Sequence, residues 1–174
     1  MKNILVVVDM QNDFIDGALG SAEALAIVPA AVQYIRDFDG DIFVTLDTHF
    51  ENYLNTAEGK KLPVPHCIKD STGWELNKDI AAALEGKNYA LVEKPTFGSV
   101  LFPDLIADAA ADDDFRIDII GLCTDICVVS NTLLLKANFP EVPIAVIESC
   151  CAGVTPQKHD AAIETMKSCQ IDIL

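Results

Sequence analysis

Cysteine chemistry is concentrated in one stretch of this chain, Gly121-Leu122-Cys123-Thr124-Asp125-Ile126-Cys127-Val128. An apolar run over 116–120 leads into it, and the apolar residues 128–137 follow it. That pattern predicts a buried strand, a tight turn at Gly121, and a helix over 124–138 whose first turn carries Cys127. A cysteine at a helix start sits in a positive field beside unpaired backbone N–H groups. Both features favour thiolate over thiol and offer donors to an anionic intermediate. Most cysteines are simply buried, so a nucleophile is credible only if the fold brings other reactive groups near.

Three further segments place proton-carrying side chains at strand ends. Residues 4–8 (Ile-Leu-Val-Val-Val) read as a strand buried on both faces of a parallel sheet, ending in Asp9. Residues 41–46 read as a second strand, ending in Asp47-Thr48-His49. On extended backbone, side chains two apart face the same side, so Asp47 and His49 can converge. A long irregular loop over 50–70, of the kind that is usually functional, carries Glu58 and ends in Pro65-His66-Cys67. One carboxylate and two imidazoles suit Zn²⁺ or another borderline divalent ion. A lone histidine is more often a surface or hydrogen-bonded side chain, but two of the chain's three histidines fall here. Residues 89–92 read as a third strand, with Lys94 just past it and Pro95 ending its ladder.

These residues need a scaffold. Helices are predicted over 22–38, 74–84, 99–110 and 156–169, strands over 116–120, 144–147 and 171–174, and a solvated turn over 112–114. Strands alternating with helices give a parallel sheet covered on both faces. Asp9, Asp47, His49, Lys94 and Cys127 then share the carboxyl edge of the sheet, where open α/β folds bind ligands.

With 174 residues the chain is expected to form a single domain over 1–174. Hydrophobic residues make up 51% and charged residues 22%, which places it among globular proteins. A net charge of −15 argues against nucleic acid or an anionic membrane surface as a partner. The chain opens directly into its first strand, without a recognisable signal peptide, and no apolar run is long enough to span a bilayer. Its six cysteines are therefore expected to be reduced and its location cytoplasmic.

The order of Val8-Asp9-Met10-Gln11-Asn12-Asp13-Phe14, Asp47-Thr48-His49, His66-Cys67, Lys94 and the 121–128 stretch resembles the isochorismatase-like cysteine hydrolases, and within them the nicotinamidase-type amidohydrolases. The resemblance runs along essentially the whole chain. It implies a three-layer α/β/α sandwich around a six-stranded, mostly parallel sheet. It implies a triad of Asp9, Lys94 and Cys127, with Cys127 as nucleophile. It also implies a cis peptide between Leu122 and Cys123 that aims the N–H groups of Cys123 and Cys127 at an oxyanion. The implied metal ligands are Asp47, His49 and His66, with Glu58 as a further candidate, and Zn²⁺ is the expected ion. The implied substrate is a small amide, with Phe14 lining its pocket. A homo-oligomer is also expected.

One departure from the resemblance bears on the substrate. Nicotinamidases commonly hold a tryptophan shortly before the metal histidine, and this chain has Leu62-Pro63-Val64-Pro65 there. Phe97 and Trp74 are the aromatic residues available to replace it. Two alternatives stand beside a nicotinamidase-like activity. One is a hydrolase of the same fold acting on another small amide, a carbamoyl compound or a vinyl ether. The other is a thiol redox or metal-binding protein using Cys123, Cys127, Cys150 and Cys151, which leaves Asp9 and Lys94 without a task.

Overall fold

The computed structural model of the protein describes residues 1–111 and 113–174. Six strands form one sheet: β1 (Lys2–Val8), β2 (Asp41–Asp47), β3 (Tyr89–Lys94), β4 (Phe115–Leu122), β5 (Ile144–Ala152) and β6 (Asp172–Ile173). Their order is β3-β2-β1-β4-β5-β6, and every pairing is parallel. The chain winds outward from β1 to β3, then returns to β4 on the other side of β1. A crevice opens where the winding reverses, between the carboxyl ends of β1 and β4.

Alternation along the strands supplies both faces of the sheet. Leu5 and Val7 of β1, with Ile42 and Val44 of β2, pack under α2 (Ala22–Asp37) and α4 (Lys78–Leu84). Ile4, Val6 and Val8 face the opposite layer with Phe43 and Ile119, under α5 (Phe102–Ala110), α6 (Val129–Asn138) and α7 (Pro156–Ser168). Residues Ile4 to Val8 have no exposed surface. Each such aliphatic side chain contributes roughly 1.5–3 kcal/mol by burial. The fold is thus the expected three-layer sandwich.

Several boundaries differ from those predicted, each for a local reason. The loop over 50–70 is not irregular throughout: it holds a 3₁₀ turn at Tyr53–Asn55 and a short helix, α3 (Ala57–Lys61), whose N-terminus is capped by the Thr56 hydroxyl. The helix predicted over 74–84 starts only at Lys78, because Asn77 caps it through Asp79 N–H. A four-residue helix, α1 (Asn12–Ile15), follows β1 where none was predicted. Strand β5 runs past the predicted 147 to Ala152, and β6 is shorter than expected. The predicted turn over 112–114 falls partly on Asp112, outside the described residues.

Gly121 is not a turn. It lies within β4, paired with Val8, at φ +121°. A Cβ there would come 2.1 Å from the Val8 carbonyl oxygen, so only glycine lets the two strands approach.

Candidate functional site

Each reactive residue reaches the crevice because its strand ends there. Asp9 leaves β1 with a left-handed backbone (φ +47°), a conformation that aspartate tolerates better than most residues. Its N–H donates to Thr45 Oγ1 at 3.0 Å, and the Thr45 hydroxyl returns a bond to Asp9 Oδ1 at 2.5 Å. Lys94, the last residue of β3, is 1% exposed. Its Nζ lies 2.7 Å from Asp9 Oδ2, 3.4 Å from Cys127 Sγ and 3.3 Å from Asp47 Oδ1, and donates to the Thr96 carbonyl.

Cys127 stands in a π-helical turn, Thr124–Val128, not in the regular α-helix predicted from residue 124. The peptide between Leu122 and Cys123 is cis. The Cys123 carbonyl accepts from both Ile126 and Val128 N–H, while the Cys123 N–H donates to no protein acceptor among the described residues. On the far side of the turn, Asn131 Nδ2 donates to the Cys127 carbonyl at 2.8 Å. Its Oδ1 accepts from Ser99 N–H, which ties the turn to the loop after β3.

The electrostatics revise the expected thiolate. Burial raises the Cys127 thiol well above its ordinary range, Asp9 raises it further, and Lys94 opposes them only in part. Cys127 is therefore a neutral thiol next to a base, because desolvation and two carboxylates outweigh the helix-end field. Burial lifts the Asp9 carboxyl as well, with Lys94 pulling it down. Burial works against the charge on Lys94, but the carboxylates of Asp9 and Asp47 more than restore it.

Asp47, His49 and His66 form a second cluster, their ligand atoms all within 4.8 Å of one another and all three residues buried. Asp47 Oδ2 lies 3.0 Å from His49 Nε2 and 3.6 Å from His66 Nε2. Burial disfavours the Asp47 charge, yet the two adjacent histidines and the charge of Lys94 hold its carboxyl below the usual range. His66 Nδ1 bonds the Val64 carbonyl at 2.8 Å, which leaves Nε2 as the free ring nitrogen. His49 Nε2 is buried with no well-directed hydrogen bond. A buried, orphaned imidazole nitrogen beside a carboxylate and a second imidazole fits a divalent cation. Glu58 Oε1, on α3, stands 3.7 Å from each histidine at the solvent side of the cluster.

Both clusters border one cavity of about 440 Å³. Phe14, Asp47, Glu58, His66, Cys123 and Cys127 line it, and Phe97 stands at its mouth, 46% exposed. Trp74 does not line it: its Nε1 donates to Thr48 Oγ1, and the residue packs, partly buried, against the core. Leu62 lines the cavity instead.

Several residues of the site were not assigned tasks from the sequence. Gln11 clamps the backbone of Asp47, accepting from its N–H at 2.8 Å and donating to its carbonyl at 2.9 Å. Asp13 accepts from Cys67 N–H and so anchors the His66 segment. Tyr53 packs edge-on against both metal-cluster histidines, at centroid distances of 4.7 and 5.0 Å. The signal for Gln11 and Asp13 was their polarity directly behind a fully apolar strand.

Residues 3–174 match the Isochorismatase domain family. The chain belongs to that family. Among isochorismatase-family relatives, the nicotinamidase/pyrazinamidase of Mycobacterium tuberculosis is 22% identical over 98% of this chain and 97% of its own. The crystal structure of nicotinamidase/pyrazinamidase PncA from Bacillus subtilis superposes with a TM-score of 0.84 at 24% identity, covering 99% of both chains. Pyrazinamidase of Pyrococcus horikoshii, solved in complex with zinc, gives 0.83 at 25% identity, covering 100% of this chain and 99% of its own. This chain is accordingly a nicotinamidase-like hydrolase of the isochorismatase family.

Proposed function

We propose that the protein hydrolyses a small carboxamide through a thioester on Cys127, releasing ammonia. The observation that carries this reading is the position of Lys94 Nζ, 2.7 Å from Asp9 and 3.4 Å from Cys127 at the cavity wall. Asp9 takes the thiol proton, and the Lys94 ammonium holds the resulting sulfur anion in place. The sulfur attacks the amide carbon, and the N–H groups of Cys123 and Cys127 receive the oxyanion. Asp9 returns its proton to the nitrogen, the C–N bond breaks and ammonia departs. Water then loses a proton to Asp9 and attacks the thioester; the acid leaves and the proton returns to sulfur.

Asp47, His49 and His66 would hold a divalent ion, with Glu58 as an outer ligand. Zinc is the ion of choice for that donor set and is present in the Pyrococcus horikoshii relative. When bound, the ion supplies a fixed positive charge and a coordination position for a donor atom of the substrate. Phe14 offers one ring face or edge to a planar substrate, and Phe97 a second at the mouth. Nicotinamide, with its carboxamide and ring nitrogen, meets these conditions and is the substrate we assign.

Ammonia release from nicotinamide and a panel of small amides is the test. Turnover of nicotinamide at a kcat/KM of about 10⁴ M⁻¹s⁻¹ or more is the expected result. Turnover of another amide alone would move the substrate and keep the mechanism. No release from any amide would refute both.

A further inference from the structure

The last helix contributes nothing to the reaction described, yet it grips the turn that carries the nucleophile. His159 of α7 places Nδ1 2.8 Å from the hydroxyl of Thr124, a residue with no exposed surface. The next residue, Asp125, accepts from Val154 N–H through Oδ1 at 2.9 Å. Thr124 and Asp125 are the two residues that follow Cys123 and open the π-helical turn. Thr124 is therefore tied to α7 and Asp125 to the connection that leads into it from β5. Gly153 permits this closeness: a Cβ there would come 2.8 Å from His159 N and 2.9 Å from Asp125 Oδ1.

We infer that His159 is a positioning residue for the Cys127 nucleophile, acting through the Thr124 hydroxyl. The bond joins the Thr124 hydroxyl to His159 Nδ1, and Nε2 on the far side of the ring looks toward Glu148 Oε1 at 3.8 Å. Held this way, Thr124 cannot rotate its hydroxyl toward the turn's own carbonyls, as buried threonines otherwise do. The turn keeps its wide π geometry, and the Cys123 and Cys127 N–H groups keep their aim. Misplacing such donors by about 1 Å can cost up to about 10²-fold. The substrate touches neither His159 nor Thr124, so the loss falls on the chemical step.

This inference rests on Cys127 being the nucleophile. The experiment therefore has two readouts: steady-state hydrolysis of nicotinamide, and the rate of Cys127 alkylation by iodoacetamide, located by peptide mapping. His159→Leu is expected to lower kcat by about tenfold or more with KM changed by less than about threefold, and to alter the alkylation rate to a similar extent. Thr124→Val should do the same, and the double variant should be no worse than either, because both remove one bond. His159→Asn, whose side-chain amide occupies the place of Nδ1, should recover most of the rate. Should His159→Leu fail to fold, Thr124→Val against Thr124→Ser decides, since serine keeps the hydroxyl. Unchanged kcat and alkylation, additive losses, or a loss confined to KM would overturn the inference. If nicotinamide is not hydrolysed, the alkylation series decides alone; if Cys127→Ala remains active, the nucleophile assignment itself is wrong.

Discussion

Asp9, Lys94 and Cys127 come from three different strand ends, whereas Asp47, His49 and His66 come from one strand end and the loop behind it. The first group meets only after the sheet has assembled in the order β3-β2-β1-β4. The second needs little more than β2, the His49–Ile68 bridge and the clamp from Gln11. Asp47 belongs to both, touching Lys94 through Oδ1 and the histidines through Oδ2. The difference separates two kinds of dependence. The reactive trio depends on the topology of the whole sheet, and the metal trio on one local segment.

The sharpest way to separate the two is to remove one member of each. Cys127→Ala should reduce amide hydrolysis by about three orders of magnitude or more while metal content, measured on purified protein, stays at the wild-type level. A remaining activity above a few per cent would deny Cys127 its role. Cys123→Ala should be mild, because only its backbone N–H is needed.

A change at Gly121 strikes the pairing of β1 with β4, on which the reactive trio depends. Gly121→Ala forces a side chain onto the Val8 carbonyl and is expected to destabilise the fold by at least about 3 kcal/mol, read as a lower midpoint in urea unfolding. A midpoint equal to wild type would mean that β1 and β4 can separate without cost. Lys94→Ala leaves Asp9 buried without its cation, and a loss of about 3–5 kcal/mol is expected there.

His49→Ala and His66→Ala should each weaken zinc binding by at least about 100-fold, followed by metal analysis after dialysis, while far-ultraviolet circular dichroism stays unchanged. Full occupancy in both variants would remove the metal assignment.

The two carboxylates should also separate by pH. Asp9 must be ionised to act as base, and its carboxyl is raised above the ordinary 3.8, so the acid limb of kcat/KM should lie above that pH. Asp47 is held below its usual range and stays ionised through the same window. In the metal-stripped protein the Cys127 thiol, raised well above 9.0, should show iodoacetamide reactivity still climbing at pH 9. A plateau near neutrality would restore the standing thiolate. The smallest effect expected concerns the cavity wall: Leu62→Trp should lower KM for nicotinamide by up to about tenfold, with kcat nearly unchanged.

Much of this was legible in the sequence because β-branched runs end at reactive residues. Asp9, Asp47 and Lys94 stand at or just past strand ends, and a parallel sheet places such ends together. The metal trio was legible from its composition and proximity along the chain. The protonation state of Cys127 was not, since it depends on desolvation by residues that only the fold brings near. Nor was α3, whose five residues are too few to show a period. The π-helical turn has the same apolar pattern as an α-helix, and the bonds from Asn131 and His159 that flank it join segments far apart in the chain.

Strand ends and the turns they anchor hold Asp9, Lys94 and Cys127, while Ala57, Glu58, Lys61 and Leu62, on and just after α3, supply one side of the cavity. Apart from Glu58, none of these four touches the reactive or metal-cluster residues through a hydrogen bond or ion pair among the described residues. At Ala57, Lys61 and Leu62 the cavity wall can be reshaped without touching a contact of Asp9, Lys94 or Cys127.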